Sequence, residues 1–287
     1  MEEELAGEAG QRIVTAVAAG QLTVAAGAQA FVAAAMAAQG APGAAPAGVL
    51  VASALAGRAS DGRSLETLLY LPALTVGARR AAGYSDQEAM LAGLTQMAML
   101  AGTQIADTAR IADQVACVAD RRVVAYTRVV NLPACARCII LAGAQYSVTE
   151  GFLRHPRCDC TVEPLSPGQW KDVPTAQQLF DRLSPQEQQR VFTAAGARAI
   201  RDGADVGQVV NARRGMSTPG AVATAEGVTR RGVYGRTARR AGGDFDRLLG
   251  QRYSTARAPR LTPEEIYGRA GSRDEAVALL RQYAYLT

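Results

Sequence analysis

The chain has 287 residues with a formal charge of +5 and a pI near 9.1. Much of its hydrophobic fraction of 48% is Ala, and aromatics make up only 5%. High helix propensity with little burial per residue favours Ala-lined helices packed closely, and argues against a β-sandwich or a large α/β enzyme. The mild basic balance is compatible with nucleic acid, and the charge is unevenly placed. Between positions 212 and 260 there are eleven arginines against Glu226, Asp244 and Asp246, so the rest of the chain is slightly acidic.

Residues 1–45 form an Ala-rich helical segment that ends in the Gly/Pro-rich stretch Gly40 to Pro46. Its start, Met1-Glu-Glu-Glu-Leu5, is acidic where a secretion signal needs positive charge. The apolar run Val24 to Ala38 carries Gln29 and is too weakly hydrophobic for a bilayer. No membrane association and synthesis in the cytoplasm are therefore expected. A helical region follows over 46–130, with Ser64 predicted as one N-cap and Ser85-Asp-Gln-Glu88 as a capping box. From Met90 the helical spacing continues through Leu94, Met97, Leu100, Ile105, Ile111 and Val115. It predicts a helix running towards Arg128, with Gly102 as a candidate break.

Residues 131–165 read as loops and short strands, and 166–215 as helices again. There Ser184-Pro185-Gln186-Glu187 supplies an N-cap, Pro at the first helical position and Glu at the third. Residues 216–260 are rich in Arg, Gly, Ser and Thr with little apolar periodicity, which predicts an extended or disordered arm. Thr262-Pro263-Glu264-Glu265 and Ser272-Arg-Asp-Glu275 open helical turns in 261–287. The expected fold class is mainly α, a helical body with a small loop and short-strand Cys/His knuckle and a flexible basic C-terminal arm.

Four of the five cysteines fall within 26 residues, as Cys135-Ala-Arg-Cys138 and, after a gap, His155-Pro-Arg-Cys158-Asp-Cys160. In a reducing compartment such clustering points to metal before disulfides. The C-x-x-C spacing turns two sulfurs towards one point, as tetrahedral zinc requires. In an extended Cys158-Asp-Cys160 both sulfurs lie on one face. Three candidates then compete for two seats, and His155 is a ligand, a supporting group or neither. The preferred set is Cys135, Cys138, Cys158 and His155, with Cys160 next. A closed set of four makes the metal structural, because a catalytic zinc keeps a position for water. The competing reading is a reduced thiol-rich turn, or disulfides formed on oxidation. Cys117, in the long helix, reads as a buried small hydrophobe.

His155 is the sole histidine. Any Ser-His-Asp or Cys-His arrangement must therefore use a residue already placed in the knuckle. No nucleophile elbow, P-loop or dinucleotide motif occurs, Glu264 and Glu265 read as acids at a helix start, and no catalytic residue is assigned. In the basic stretch, Arg230, Arg231, Arg236, Arg239 and Arg240 surround Tyr234. That pairing of charge with an aromatic suits non-specific DNA contact, and equally a solvated tail.

The two halves Asn131-Leu-Pro-Ala-Cys135-Ala-Arg-Cys138-Ile-Ile-Leu-Ala-Gly143 and Gly151-Phe152-Leu-Arg154-His155-Pro156-Arg-Cys158-Asp-Cys160 resemble the phage Mu F-like minor head protein family, in the form found in phages of actinobacteria. The likeness extends upstream through Ala56 to Leu65 and Thr103 to Asp107, and downstream through Phe192 to Gly203 and Gln208 to Met216. It implies a virion protein of the head interior or portal vicinity, made in the host cytoplasm. Its implied partners are portal and capsid proteins and packaged double-stranded DNA. Proteins of this kind also carry the label of capsid maturation protease, which gives an enzyme as one alternative. A zinc-dependent DNA-binding module unrelated to virions is the other.

Overall fold

The computed structural model describes residues 7–41, 43, 46–151, 154–156, 158, 160–169, 173–216, 221–247 and 249–286. Several residues of the sequence motifs lie outside the described residues: Met1 to Leu5, Pro42, Phe152, Leu153, Arg157, Asp159, positions 217–220 of the basic stretch, and Leu248. The protein is mainly α, and it divides into one unit of residues 1–131 and 143–173 and another of residues 132–142 and 174–287.

The first unit is built on helices α1 (Glu8–Ala26), α2 (Ala28–Ala38), α3 (Leu65–Ala81) and α4 (Asp86–Ala119). Both expected caps form. The Ser64 side chain accepts from the Thr67 N–H, and Ser85 and Glu88 close a reciprocal capping box. Helix α4, 34 residues long, spans roughly 50 Å at the usual rise. It runs unbroken through Gly102, since one glycine costs only about 1 kcal/mol against a run of good helix formers.

Helix α4 stops at Ala119, short of the predicted end near Arg128. Asp120 leaves helical backbone and its carboxylate grips Arg122 at 2.6 and 2.9 Å. The β-branched and aromatic residues beyond then form β1 (Ala125–Val129), the middle strand of an antiparallel sheet with β2 (Gln145–Ser147) and β3 (Thr161–Leu165). Hydrophobic spacing alone did not separate this strand from the helix before it, because no glycine or proline lies between Ala119 and Asn131 to mark the change.

The span Glu8–Ala38 is long and apolar enough to cross a membrane by composition, with a mean hydropathy of 1.4 over its best window. One face is nevertheless committed to this unit's own core. Ala25, Ala28, Val32 and Met36 pack with Ala112, Ala116 and Cys117 of α4, and Val17 packs with Leu65 and Leu69 of α3. The buried Gln21 on the same face donates to the Arg58 carbonyl at 2.9 Å and the Thr108 hydroxyl at 3.0 Å, and accepts from the Gly57 N–H at 2.9 Å. A buried amide with its bonds made fixes the register of helix on helix. Cys117 is buried as expected, and burial pushes its thiol up to about 12.

Asp113 on α4 is half-buried, and burial pushes its carboxyl from 3.8 to about 6 against the pull of Arg110. The folded state therefore holds this proton more tightly than the unfolded chain. Stability is lost as pH rises from about 4 to about 6. Asp113→Asn is expected to raise stability at pH 7 by about 1–2 kcal/mol, after discounting for partial exposure, and to lose that gain near pH 4. Urea midpoints of the two proteins at both pH values measure it, and identical midpoints at pH 7 would refute it.

The second unit contains α5 (Ala136–Ile139), α6 (Ala176–Arg182), α7 (Pro185–Phe192), α8 (Ala194–Arg201) and α9 (Val206–Arg214). After the short elements of the basic stretch, helices α11 (Pro263–Arg269) and α12 (Arg273–Gln282) close the chain. Ser184, Thr262 and Ser272 cap their helices as the sequence indicates. Phe180 and Phe192 meet edge to face at 5.3 Å within a core that includes Ile200, Val209, Ile266 and Leu280.

Where the sequence predicts an extended or disordered arm, the described residues of 216–260 contain short ordered elements. These are β4 (Ala223–Thr224), α10 (Val233–Arg240), β5 (Phe245–Asp246), β6 (Thr255–Ala256) and β7 (Arg260–Leu261), with β4 paired to β7 and β5 to β6. They are held mainly by backbone bonds, such as Ala256 N–H to Val228 O at 2.8 Å and Gly235 N–H to Gly227 O at 3.0 Å. The backbone passes so close at Gly235 that a Cβ there would collide with the Thr229 carbonyl. Small elements of this kind leave no apolar periodicity to read.

Candidate metal centre

Cys135 caps the single turn α5, and its sulfur accepts the Cys138 N–H at 3.4 Å. The C-x-x-C spacing thus becomes one helical turn that turns both thiols the same way. On the other side of the motif, a turn closed by the Cys158 N–H and the His155 carbonyl at 3.2 Å leads through Cys160 into β3. Two groups of ligand atoms result, each lying within 4.8 Å of one another: Cys135, Cys138 and His155, and Cys138, Cys158 and Cys160. Cys138 belongs to both. The five side chains form a cluster that can bind a metal ion. Cys138, Cys158 and Cys160 are buried, and Cys135 is exposed.

The five residues proposed from the sequence fall in two triads of ligand atoms that share Cys138. The His155 Nδ1 lies 2.8 Å from the Pro156 carbonyl. A carbonyl only accepts, so Nδ1 is the donor in this contact.

The groups that sequence reasoning missed are charged. Arg110, buried on α4, donates through Nε to the Cys160 carbonyl at 2.6 Å, and through a terminal nitrogen to the Cys158 carbonyl. Its other terminal nitrogen pairs with Asp107 at 3.0 Å, and Arg154 reaches the same carboxylate oxygen at 3.2 Å. Arg128, buried on β1, donates towards the Cys158 sulfur at 3.7 Å. Of these, Arg128 is the one shown facing a sulfur, where its guanidinium would offset the negative charge of a metal-bound thiolate. A signal for two of them was present. Beyond its first turn, α4 carries only Asp107, Arg110 and Asp113 as charges, and all fall within seven residues.

The arginines assigned to DNA or capsid contact are on the surface. Arg230, Arg231, Arg236, Arg239 and Arg240 are all exposed, on α10 and the turn before it. Arg230 also stacks over Phe245 at 5.5 Å, and Arg236 donates to the Arg231 carbonyl at 2.9 Å. Arg260, counted with the same charge run, is buried and belongs to the core.

No protein-family model, no curated protein and no solved structure matches this chain.

Proposed function

We propose that the chain is a minor head protein of the Mu F-like kind, a structural virion component near the portal, pinned by one zinc. The observation that carries this reading is the convergence of both halves of the resembling motif on a single cluster, with Cys138 common to both groups. Thiolate and imidazole donors in a loop with few hydrophobes suit tetrahedral zinc, which takes Cys138 with three of Cys135, His155, Cys158 and Cys160. With all four positions filled by protein, the metal holds the loop in shape and performs no chemistry.

The exposed arginines around α10 contact packaged double-stranded DNA. Each neutralised phosphate adds about 0.9 to the salt slope of binding, so the five together give a slope of about 4 to 5. Co-expression with portal and capsid proteins tests the assignment. Metal analysis of the recovered particles is expected to find the chain in procapsids with about one zinc per copy. Absence from procapsids, together with salt-sensitive DNA binding by the free protein, would favour a zinc-dependent DNA-binding module instead.

One observation favours an enzyme as the second reading. The exposed Cys135 falls in one group of ligand atoms with His155, and His155 lines a cleft of about 350 Å³ with Ser60, Gln104, Asp107 and Arg154. A Cys-His protease would cleave itself or a co-expressed scaffold, and Cys135→Ser would abolish that cleavage. Intact scaffold with the wild-type chain present removes this reading.

A further inference from the structure

We infer that Asp107 and Arg110 are the positioning pair of the metal centre, one carboxylate setting both the imidazole-bearing and the thiol-bearing parts of the second motif half. The inference rests on the metal-centre reading and concerns residues that no part of the Cys/His motif contains. The three groups form a short chain. Asp107 Oδ1 receives Arg110 at 3.0 Å and Arg154 at 3.2 Å. Arg154 is the residue immediately before His155. Arg110 in turn holds the carbonyls of Cys158 and Cys160.

The described residues between Gly151 and Thr161 belong to no helix or strand, and backbone carbonyls buried there need donors. Arg110 is the group that supplies them, from a helix that is rigid for independent reasons. Its planar fork satisfies two carbonyls and one carboxylate at once, a geometry that a lysine ammonium does not reproduce. Asp107 balances the charge of Arg110 and fixes its orientation, because an unpaired guanidinium here would be a costly buried charge. The Cys-x-Cys backbone is thereby held in place before any metal arrives, and the ordering cost of binding is lowered accordingly.

The test compares the full-length chain with its Arg110→Lys, Asp107→Asn and Arg154→Gln variants. Zinc affinity is read by competition with a chromogenic chelator, and ligand geometry by the charge-transfer and d–d bands of the cobalt-substituted protein. Arg110→Lys and Asp107→Asn are expected to weaken zinc binding by about 10- to 100-fold and to change the cobalt spectrum. Arg154→Gln, at the outer end of the chain, is expected to fall near the lower limit. Far-UV circular dichroism reports whether each variant is folded, and if Arg110→Lys is not, Asp107→Asn and Arg154→Gln carry the test. Wild-type affinity and an unchanged cobalt spectrum in the folded variants would overturn the inference. If the wild-type chain itself takes up no zinc or cobalt, the metal-centre reading fails, and this inference with it.

Discussion

Arg260→Ala is expected to destabilise the second unit by about 3–5 kcal/mol, because it leaves several buried acceptors without donors at about 1–3 kcal/mol each and opens a cavity. The guanidinium is 1% exposed. It donates to the carbonyls of Tyr283 at 2.9 Å, Ala284 at 3.0 Å and Glu226 at 3.1 Å, and to Gln208 Oε1 at 3.2 Å. Its flat face lies 4.3 Å from the ring centre of Tyr285, whose hydroxyl donates to the Leu261 carbonyl at 2.9 Å. One side chain therefore joins the end of the chain, helix α9 and the turn after β4. Alanine leaves those acceptors buried without donors and opens a cavity beside Tyr285. At roughly 3–5 °C per kcal/mol, between the values for smaller and larger domains, the melting temperature should fall by about 10–25 °C. Arg260→Lys keeps the charge but has neither the fork nor the stacking face, and should recover no more than about half of the loss. Thermal and urea unfolding of the three proteins measure this. A loss under about 1 kcal/mol for the alanine variant would show that the acceptors find water, and that the arginine is dispensable.

Arg260 also shows where sequence reading reaches its limit. In sequence it is the last of eleven arginines in a Gly-rich stretch, and nothing about Pro259-Arg260-Leu261 separates it from its exposed neighbours Arg239 and Arg240. The distinction arises only when distant carbonyls converge on it, from positions 208 and 226 on one side and 283–284 on the other. Helix starts were legible for the opposite reason. Ser85 with Glu88 and Ser184 with Glu187 are local devices, in which side chain and backbone partners lie three residues apart. The thiol and imidazole cluster was legible because few other jobs require those residue types at that spacing. Its support was not. Arg110 sits about 50 residues before the carbonyls it serves, with its partner Asp107 one turn earlier, in a helix whose apolar spacing hides their role. Strand β1 was absorbed into the preceding helix because no glycine or proline separates them, and only the Asp120–Arg122 stop divides them.

Cys138→Ser is expected to have the largest effect on metal binding of any single change in the cluster. Cys138 is the one residue present in both ligand groups, so a site built on either group has it as a ligand. A four-ligand structural zinc is worth about 10–16 kcal/mol at neutral pH, so each corner carries roughly 3 kcal/mol, or about 100-fold in affinity. Cys135→Ser and Cys160→Ser each touch one group only. The remaining donors can replace the lost sulfur in at least one of them, so their losses should be unequal, and the smaller should be well under that of Cys138→Ser. Cys117→Ser, in the buried face of α4, should leave metal content unchanged. A chelator should lower the melting temperature of the wild-type chain, because metal at about 100 times its dissociation constant adds about 2.7 kcal/mol to the folded state. It should have almost no effect on Cys138→Ser, which has already lost that contribution. Acid should act in the same direction as the chelator, since thiols and imidazole must give up their protons to bind. Metal analysis of the purified variants decides the matter. If Cys138→Ser retains the wild-type metal content while Cys158→Ser or Cys160→Ser loses it, the two groups do not share a corner, and the site is organised around the Cys-x-Cys arm alone.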